Sequence, residues 1–97
     1  MSSPARIELA TRAVRDLRRL DAPERRRITA SLDELAAGAP NLDVKALAGH
    51  TPWLRMRVGD WRVLYRPLSD EEAATGAGWL VARIVNRRDL ERAARGL

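Results

Sequence analysis

The segment 53–66 constrains the fold of this chain more than any other, because its residue pattern predicts a β-hairpin with two chemically different faces. Side chains alternate between the two faces of a strand. Gly59 and Asp60 interrupt the alternation as the two residues of a tight turn, where glycine supplies the positive φ that such a turn requires. The turn sets the register, and the predicted pairs are Val58 with Trp61, Arg57 with Arg62, Met56 with Val63 and Leu54 with Tyr65.

One face of this hairpin is apolar and the other is basic. The apolar face comprises Leu54, Met56, Val58, Trp61, Val63 and Tyr65, and the basic face comprises Arg55, Arg57, Arg62 and Arg66, with Leu64 among them. Like charges directly opposite one another destabilise a strand pair. A fold that places Arg57 across from Arg62 is therefore expected to bind a polyanion, because guanidinium groups hold phosphate through paired hydrogen bonds.

Composition and charge exclude several classes of protein. A chain of 97 residues is expected to form one domain, residues 1–97. Its net charge of +5 favours nucleic acid, an anionic surface or an acidic protein as partner. There is no cysteine and a single histidine, His50, so we expect neither a disulfide nor a metal site, and no cofactor. We expect a soluble cytoplasmic protein, because no apolar stretch approaches a membrane span and the N-terminus lacks the apolar region of a signal peptide.

The rest of the chain predicts an α+β fold, in which an N-terminal strand and a helical hairpin pack on a mainly antiparallel sheet with a short C-terminal helix. Thr11 and Asp21 are the predicted N-caps of the two helices, and Gly38 ends the second. The predicted elements are a strand at 6–9, helices from 11 and 21, a loop at 38–52, the hairpin, a loop at 67–78, a strand at 79–85 and a helix at 90–95. The basic hairpin face is expected to look outward, away from the helices.

Two motifs resemble the RelE/ParE superfamily of toxins from toxin–antitoxin systems. They are Leu47-Ala-Gly49 followed by the hairpin strands, and Ile84-Val-Asn-Arg-Arg-Asp89 before the terminal helix. RelE-type members cut messenger RNA in the ribosomal A site without a metal, and ParE-type members poison DNA gyrase. Members of both types are neutralised by a cognate antitoxin that wraps around the toxin. The resemblance therefore implies an acidic antitoxin, the ribosome and messenger RNA as partners.

The resemblance also implies site residues. Arg55, Arg57, Arg62 and Arg88 fall where RelE-like enzymes hold their catalytic basic residues, and we assign Arg57, Arg66 and Arg87 to RNA binding. The chain departs from the family pattern in two places, since no tyrosine follows Arg-Arg-Asp and Asn86 stands where a histidine is common. Cleavage by the ribose 2′-hydroxyl needs a proton acceptor and a proton donor. The remaining candidates for these roles are Glu91 in the terminal helix and His50.

Three functions remain open at this point. The first is a ribosome-dependent, metal-independent endoribonuclease, which the basic set at 55, 57, 62 and 88 favours. The others are a gyrase inhibitor without catalytic activity and an inactive toxin fold that acts only in an antitoxin complex, both of which the missing tyrosine favours. The arginines of the first helix are either antitoxin contacts or a solvated face. Trp53, Trp61 and Trp79 are expected to pack in the core or at the sheet edge rather than stack on bases.

Overall fold

The computed structural model describes residues 4–73 and 76–97 and confirms the α+β class. Two positions of the predicted loop at 67–78, residues 74 and 75, lie outside the described residues. The elements are β1 (Arg6–Leu9), α1 (Thr11–Arg18), α2 (Ala22–Ala37), β2 (Asp43–Ala46), β3 (Leu54–Val58), β4 (Trp61–Pro67), β5 (Gly78–Asn86), a 3₁₀ turn (Arg87–Asp89) and α3 (Leu90–Arg95).

The strands form one five-stranded sheet in the order β1-β5-β4-β3-β2. β1 runs parallel to β5, and the other neighbouring strands are antiparallel. All the predicted pairs of the β3–β4 hairpin are confirmed, including Val58 with Trp61 and Arg57 with Arg62. Gly59 has a φ of +60° in the turn, which explains why the chain has glycine there.

The prediction of a loop throughout 38–52 is wrong, because residues 43–46 form β2. This strand pairs antiparallel with β3 and places Asp43 opposite Arg57. Its sequence, Asp-Val-Lys-Ala, alternates between charged and apolar residues, as a half-exposed edge strand does. Four residues carry too weak a periodic signal to distinguish such a strand from a loop, so β3 has to supply the hydrogen bonds that define it.

The predicted N-cap of α1 is wrong, whereas the predicted positions of the N-cap and C-terminal end of α2 are confirmed. Ala10 occupies the N-cap of α1, and Thr11 is already its first helical residue. Asp21 does occupy the N-cap of α2, but its side chain makes no capping hydrogen bond. Gly38 ends α2 as predicted, with a left-handed φ of +73° and its N–H donating to the Leu35 carbonyl at 3.1 Å.

The main core lies between the sheet and the helices α1 and α2. Its buried residues are Ala13, Leu20, Ile28, Leu32, Leu35, Met56, Val58, Val63, Tyr65, Val81 and Ile84. The apolar hairpin face therefore packs as predicted. None of the helices in the described part of the chain is long and apolar enough to cross a membrane.

A second, smaller core lies on the opposite side of the sheet, on the hairpin face that was expected to look outward. Leu64, Val85 and Ala93 are buried there, with Leu47, Leu90 and Leu97 packed against them. Leu64 is completely buried although its neighbours along this face are arginines. The short helix α3 therefore packs over the middle of the basic face, and the arginines of this face lie around the helix.

Candidate functional site

The turn of the β3–β4 hairpin holds the side chain of Arg62 in place. Its Nη1 donates to the carbonyl oxygen of Gly59 at 2.9 Å and to that of Trp61 at 3.0 Å. Arg62 is partly buried, and Arg57 lies directly across the strand pair from it. Two backbone carbonyls thus fix one guanidinium nitrogen and leave the other donors of the group for a ligand.

The surroundings of Arg62 are strongly positive. Burial lowers the pKa of Arg62, and the nearby charges of Arg57, Arg55 and Arg87 lower it further, in that order. Among the described residues, no carboxylate lies within ion-pair distance of Arg62 or Arg57. We call Arg55, Arg57, Arg62 and Arg87 the turn cluster. The charges of Arg57 and Arg62, which no carboxylate contacts among the described residues, provide the electrostatic environment that an anionic ligand requires.

Arg55 belongs to this cluster but already has a carboxylate partner. Its Nη1 lies 3.0 Å from Oδ1 of Asp43 and donates also to the Asp43 carbonyl at 3.3 Å. The hydrogen bond from Arg55 holds the pKa of the exposed Asp43 carboxyl below its usual value. Asp43 is not among the predicted site residues because it lies on the unpredicted strand β2. The alternation in residues 43–46 is the sequence signal of this strand, but over four residues it does not distinguish a strand from a loop.

Arg87 and Arg88 directly follow β5, and their side chains lie in different surroundings. The Arg87 N–H donates to the Asp60 carbonyl at 2.8 Å, and its Nε lies 3.9 Å from the Asp60 carboxylate, which places Arg87 beside the turn. The Arg88 N–H donates to Oδ1 of Asn86 at 3.2 Å. The side chain of Arg88 is 81% exposed and lines a cleft between α1 and α3.

Arg66 lies near the other end of β4 and is held by the 67–78 loop. Its guanidinium makes two hydrogen bonds to the Glu72 carboxylate, at 2.8 and 3.2 Å, and lies 5.7 Å from the centre of the Trp53 ring. Ser69 and Glu72 also bond reciprocally, since each backbone N–H donates to the other side chain. Arg66 therefore already has an anionic partner, in contrast to Arg57 and Arg62.

We predict that this contact loosens only in strong acid. Hydrogen bonds from Arg66, and then from Ser69, lower the pKa of Glu72 to about 2. A depressed carboxyl pKa means that the ion pair stabilises the fold above the ordinary pKa and that this contribution is lost as the pH falls towards 2. Carboxyl NMR shifts of Glu72 between pH 6 and pH 1.5 measure the midpoint. The Arg66→Gln variant should move that midpoint upward, and an identical midpoint in both proteins contradicts the assignment.

The two predicted proton-transfer residues are not in contact with Arg62. His50 lies in the turn before β3, where its N–H donates to the Leu47 carbonyl at 3.0 Å and its own carbonyl accepts from Trp53. This turn is at the end of the hairpin opposite to Gly59, so the length of β3, about 13 Å at 3.3 Å per residue, separates the two turns. Glu91 is exposed on α3 and, within the part of the chain that the structure describes, pairs with no site arginine.

The single tyrosine of the chain does not supply the missing group. Tyr65 is 1% exposed, and its ring meets Trp79 edge-on with the centroids 5.3 Å apart. Burial raises the pKa of its hydroxyl. Tyr65 is therefore a core residue, removed from any bound substrate.

A cleft of 540 Å³ lies between α1 and α3, beside the turn cluster. The C-terminal part of β5, residues 83–86, forms the floor of the cleft. β1 pairs with β5 only as far as Val81, so this part of β5 has no neighbouring strand on that edge. Asp16 of α1 lies against this edge of β5. Its carboxylate accepts hydrogen bonds from Nε of Arg83 at 2.8 Å and from the Ile84 N–H at 2.9 Å. The charged residues that line the cleft are Arg12, Asp16, Arg19, Arg83, Arg88, Asp89 and Arg92. These side chains are not grouped by any local sequence pattern, because they come from α1 and its C-cap, from β5, from the 3₁₀ turn and from α3.

Comparison with known proteins gives a family match over most of the chain. The family model of the ParE toxin of the type II toxin–antitoxin system parDE matches residues 7–91. No curated protein matches the chain.

Solved structures of similar fold include chains from three toxin–antitoxin complexes. A chain of the RelB–RelE antitoxin–toxin complex of Methanococcus jannaschii has a TM-score of 0.69 and 21% identity, with coverage of 89% of this chain and 96% of that one. A chain of the archaeal RelE–RelB complex of Pyrococcus horikoshii OT3 has a TM-score of 0.60 and 21% identity, with coverage of 87% of this chain and 96% of that one. A chain of the toxin–antitoxin complex RelBE2 of Mycobacterium tuberculosis has a TM-score of 0.56 and 26% identity, with coverage of 87% of this chain and 99% of that one.

Proposed function

This chain belongs to the ParE toxin family of type II toxin–antitoxin systems, and we propose, from its arrangement of arginines rather than from that membership, that it is a toxin that cleaves messenger RNA on the ribosome without a metal. The turn cluster carries this proposal. Arg57 and Arg62 face one another with no carboxylate in contact among the described residues. Without a bound anion this arrangement is repulsive, and the phosphates of RNA relieve the repulsion.

The proposed reaction is an in-line transfer at one phosphodiester. The ribose 2′-oxygen loses its proton and attacks the adjacent phosphorus, the bond from phosphorus to the 5′-oxygen breaks, and that oxygen takes up a proton. The products are a 2′,3′-cyclic phosphate and a free 5′-hydroxyl. Negative charge grows on the phosphoryl oxygens as the new bond forms, and Arg62 and Arg57 are the guanidiniums that stabilise it. Arg62 is fixed by Gly59 and Trp61 before the substrate arrives, so little reorganisation is needed.

Proton transfer is the weaker part of the chemistry in this chain. Neither His50 nor Glu91 contacts the turn cluster in the described structure, and Tyr65 is in the core. We therefore propose that charge stabilisation by arginine supplies most of the rate, and that water accepts the proton from a message that the ribosome has already oriented.

We predict that His50→Ala and Glu91→Gln each lower the cleavage rate less than tenfold, well below the contribution of about 10²-fold or more that a positioned general base makes. The measurement is single-turnover cleavage of ribosome-bound message by each variant beside the wild type. Loss of cleavage in either variant would identify a true general base and would contradict the charge-stabilisation mechanism.

Gyrase inhibition is the second candidate function. It is favoured by the position of the one tyrosine in the core, which leaves the turn cluster without the proton-transfer partner that many RelE-like enzymes carry. In this case the turn cluster is a contact surface for an acidic partner and carries out no chemistry. An inactive toxin fold that acts only within an antitoxin complex would have the same surface.

Two assays with the same purified protein distinguish these functions. Primer extension on ribosome-bound message detects cleavage, and a supercoiling assay detects gyrase inhibition. We expect cleavage of message and no effect on supercoiling. Inhibited supercoiling with intact message supports the gyrase alternative, and a negative result in both assays supports the inactive fold.

The proposed protein partner is an acidic antitoxin. The solved structures of similar fold are complexes with RelB, and the basic charge of this chain is complementary to an acidic segment. We propose that the antitoxin covers the basic face or displaces the terminal helix around 90–97, and that it folds on binding. Added salt should weaken this association. A footprint confined to exposed residues of α1 and α2 that leaves Arg62 and Arg88 accessible would contradict occlusion of the site.

A further inference from the structure

The cleft between α1 and α3 has more positive charge than its own carboxylates neutralise. Five arginines and two aspartates line it. Asp16 is already engaged by Arg83, through contacts of 2.8 and 3.3 Å, and Asp89 is engaged by Arg92 at 2.9 Å. Arg12 and Arg19 have no carboxylate partner among the described residues, and Arg88 is 4.0 Å from Asp89. Three guanidiniums thus face the cleft with little or no compensation.

The geometry of α1 directs two of these arginines to the same place. Arg12, Asp16 and Arg19 are spaced by four and three residues, so they share one face of the helix. Arg12 reaches across the cleft towards the end of α3, where its Nη1 is 4.0 Å from the position that a Cβ on Gly96 would take. The uncharged part of the lining consists of Asn86, Gly96 and the apolar side chains of Leu20, Trp61, Ile84, Val85 and Ala93.

The cleft continues directly into the turn cluster. Trp61 lines the cleft, and its carbonyl oxygen accepts the hydrogen bond from Arg62. Asn86, which pairs with Trp61 across the sheet, lines the cleft as well and bonds to the Arg88 N–H. A basic groove with an aromatic residue along its path is the arrangement by which proteins hold a single-stranded nucleic acid backbone.

We propose that this cleft is a second RNA-binding subsite, in which Arg12, Arg19 and Arg88 hold backbone phosphates next to the one that Arg62 contacts. The proposal rests on the proposed ribonuclease function. The phosphates come from the message or from ribosomal RNA, which share the same chemistry. Addition of a peptide strand is disfavoured because the Asp16 carboxylate already occupies the Ile84 N–H on this edge of β5.

The test compares two double variants of the same helix. Arg12→Gln with Arg19→Gln removes two charges from the cleft. Arg15→Gln with Arg18→Gln removes two charges from exposed positions of α1 that do not line it. Binding of a fluorescent, non-cleavable 2′-O-methyl RNA of ten nucleotides is measured by anisotropy over a range of KCl concentrations. The cleft variant should bind about tenfold more weakly, with a salt slope lower by about 1.4, which corresponds to two lost phosphate contacts. The control variant should keep the wild-type slope.

A second arm identifies the source of the phosphates. Co-sedimentation with ribosomes that lack message reports binding to ribosomal RNA, and the oligonucleotide reports binding to a message. Loss of either interaction in the cleft variant alone supports the subsite and assigns its source. Equal effects of the two double variants in both arms overturn it. Weaker binding of poly-glutamate with unchanged RNA binding would make the cleft a protein-docking surface and would also overturn it.

The result of this RNA-binding test can be distinguished from the result of the cleavage test of the proposed function. If the wild type cleaves message and the cleft variant binds RNA as the control does, the ribonuclease proposal stands and the subsite is wrong. If the cleft arginines bind RNA but the wild type cleaves no message, the ribonuclease proposal is wrong and the RNA-binding surface remains.

Discussion

Arg62→Ala is expected to lower the rate of message cleavage by about 10²–10³-fold, the range observed when one preorganised donor to a developing oxyanion is removed. The reason is that the carbonyls of Gly59 and Trp61 hold Arg62 in place, while no carboxylate among the described residues is within ion-pair distance of it. Its side chain lies on the face away from the main core, so the fold should persist. In cells, the variant should no longer inhibit growth. Single-turnover cleavage and a far-UV circular dichroism melt measure the two effects.

Two further variants separate charge from geometry at this position. Arg62→Lys keeps the positive charge but loses the planar fork of donors, so its rate should lie between those of the wild type and the alanine variant. Arg26→Ala, on the exposed surface of α2, removes the same charge elsewhere and should cleave like the wild type. If Arg62→Ala remains as active and as toxic as the wild type, the turn cluster is not the catalytic site.

The hairpin was predictable because the information that specifies it is local. Alternation sets the faces and the glycine turn sets the register, so the pairing of Arg57 with Arg62 follows from 14 consecutive residues, 53–66. β2 was missed because its four residues become a strand only through hydrogen bonds to β3. The packing of α3 on Leu64 was not predicted for a related reason. α3 is distant in sequence from Leu64, and its few apolar residues do not indicate which surface they pack against.

The candidate site was predictable in its arginines but not in their partners. The positions of Arg55, Arg62 and Arg66 follow from the strand pattern, whereas the carboxylates that pair with two of them come from other segments. Asp43 pairs with Arg55 from β2, and Glu72 pairs with Arg66 from a loop. These contacts decide which arginines are free for a ligand. The sequence therefore predicts the composition of the basic face, and tertiary contacts select Arg57 and Arg62 from it.

A large stability effect is expected at Asp16, a residue without a role in the proposed chemistry. Its carboxylate is only 11% exposed, and it accepts from both the Arg83 guanidinium and the Ile84 N–H. Asp16→Ala leaves a guanidinium that is 20% exposed without its partner and a backbone N–H of β5 without an acceptor. Breaking a largely buried ion pair from one side, together with the lost hydrogen bond, should lower the free energy of unfolding by about 3 kcal/mol.

Urea unfolding of purified variants measures this loss, and two variants locate its source. Asp16→Asn keeps an oxygen that can accept from Ile84 but loses the charge, so it should be destabilised less than Asp16→Ala. Asp33→Ala removes an exposed carboxylate from α2 and should change the free energy of unfolding by less than about 0.5 kcal/mol. An Asp16→Ala protein as stable as the Asp33→Ala control would mean that water replaces the carboxylate at the edge of β5. In that case α1 would be held against the sheet by its apolar residues alone.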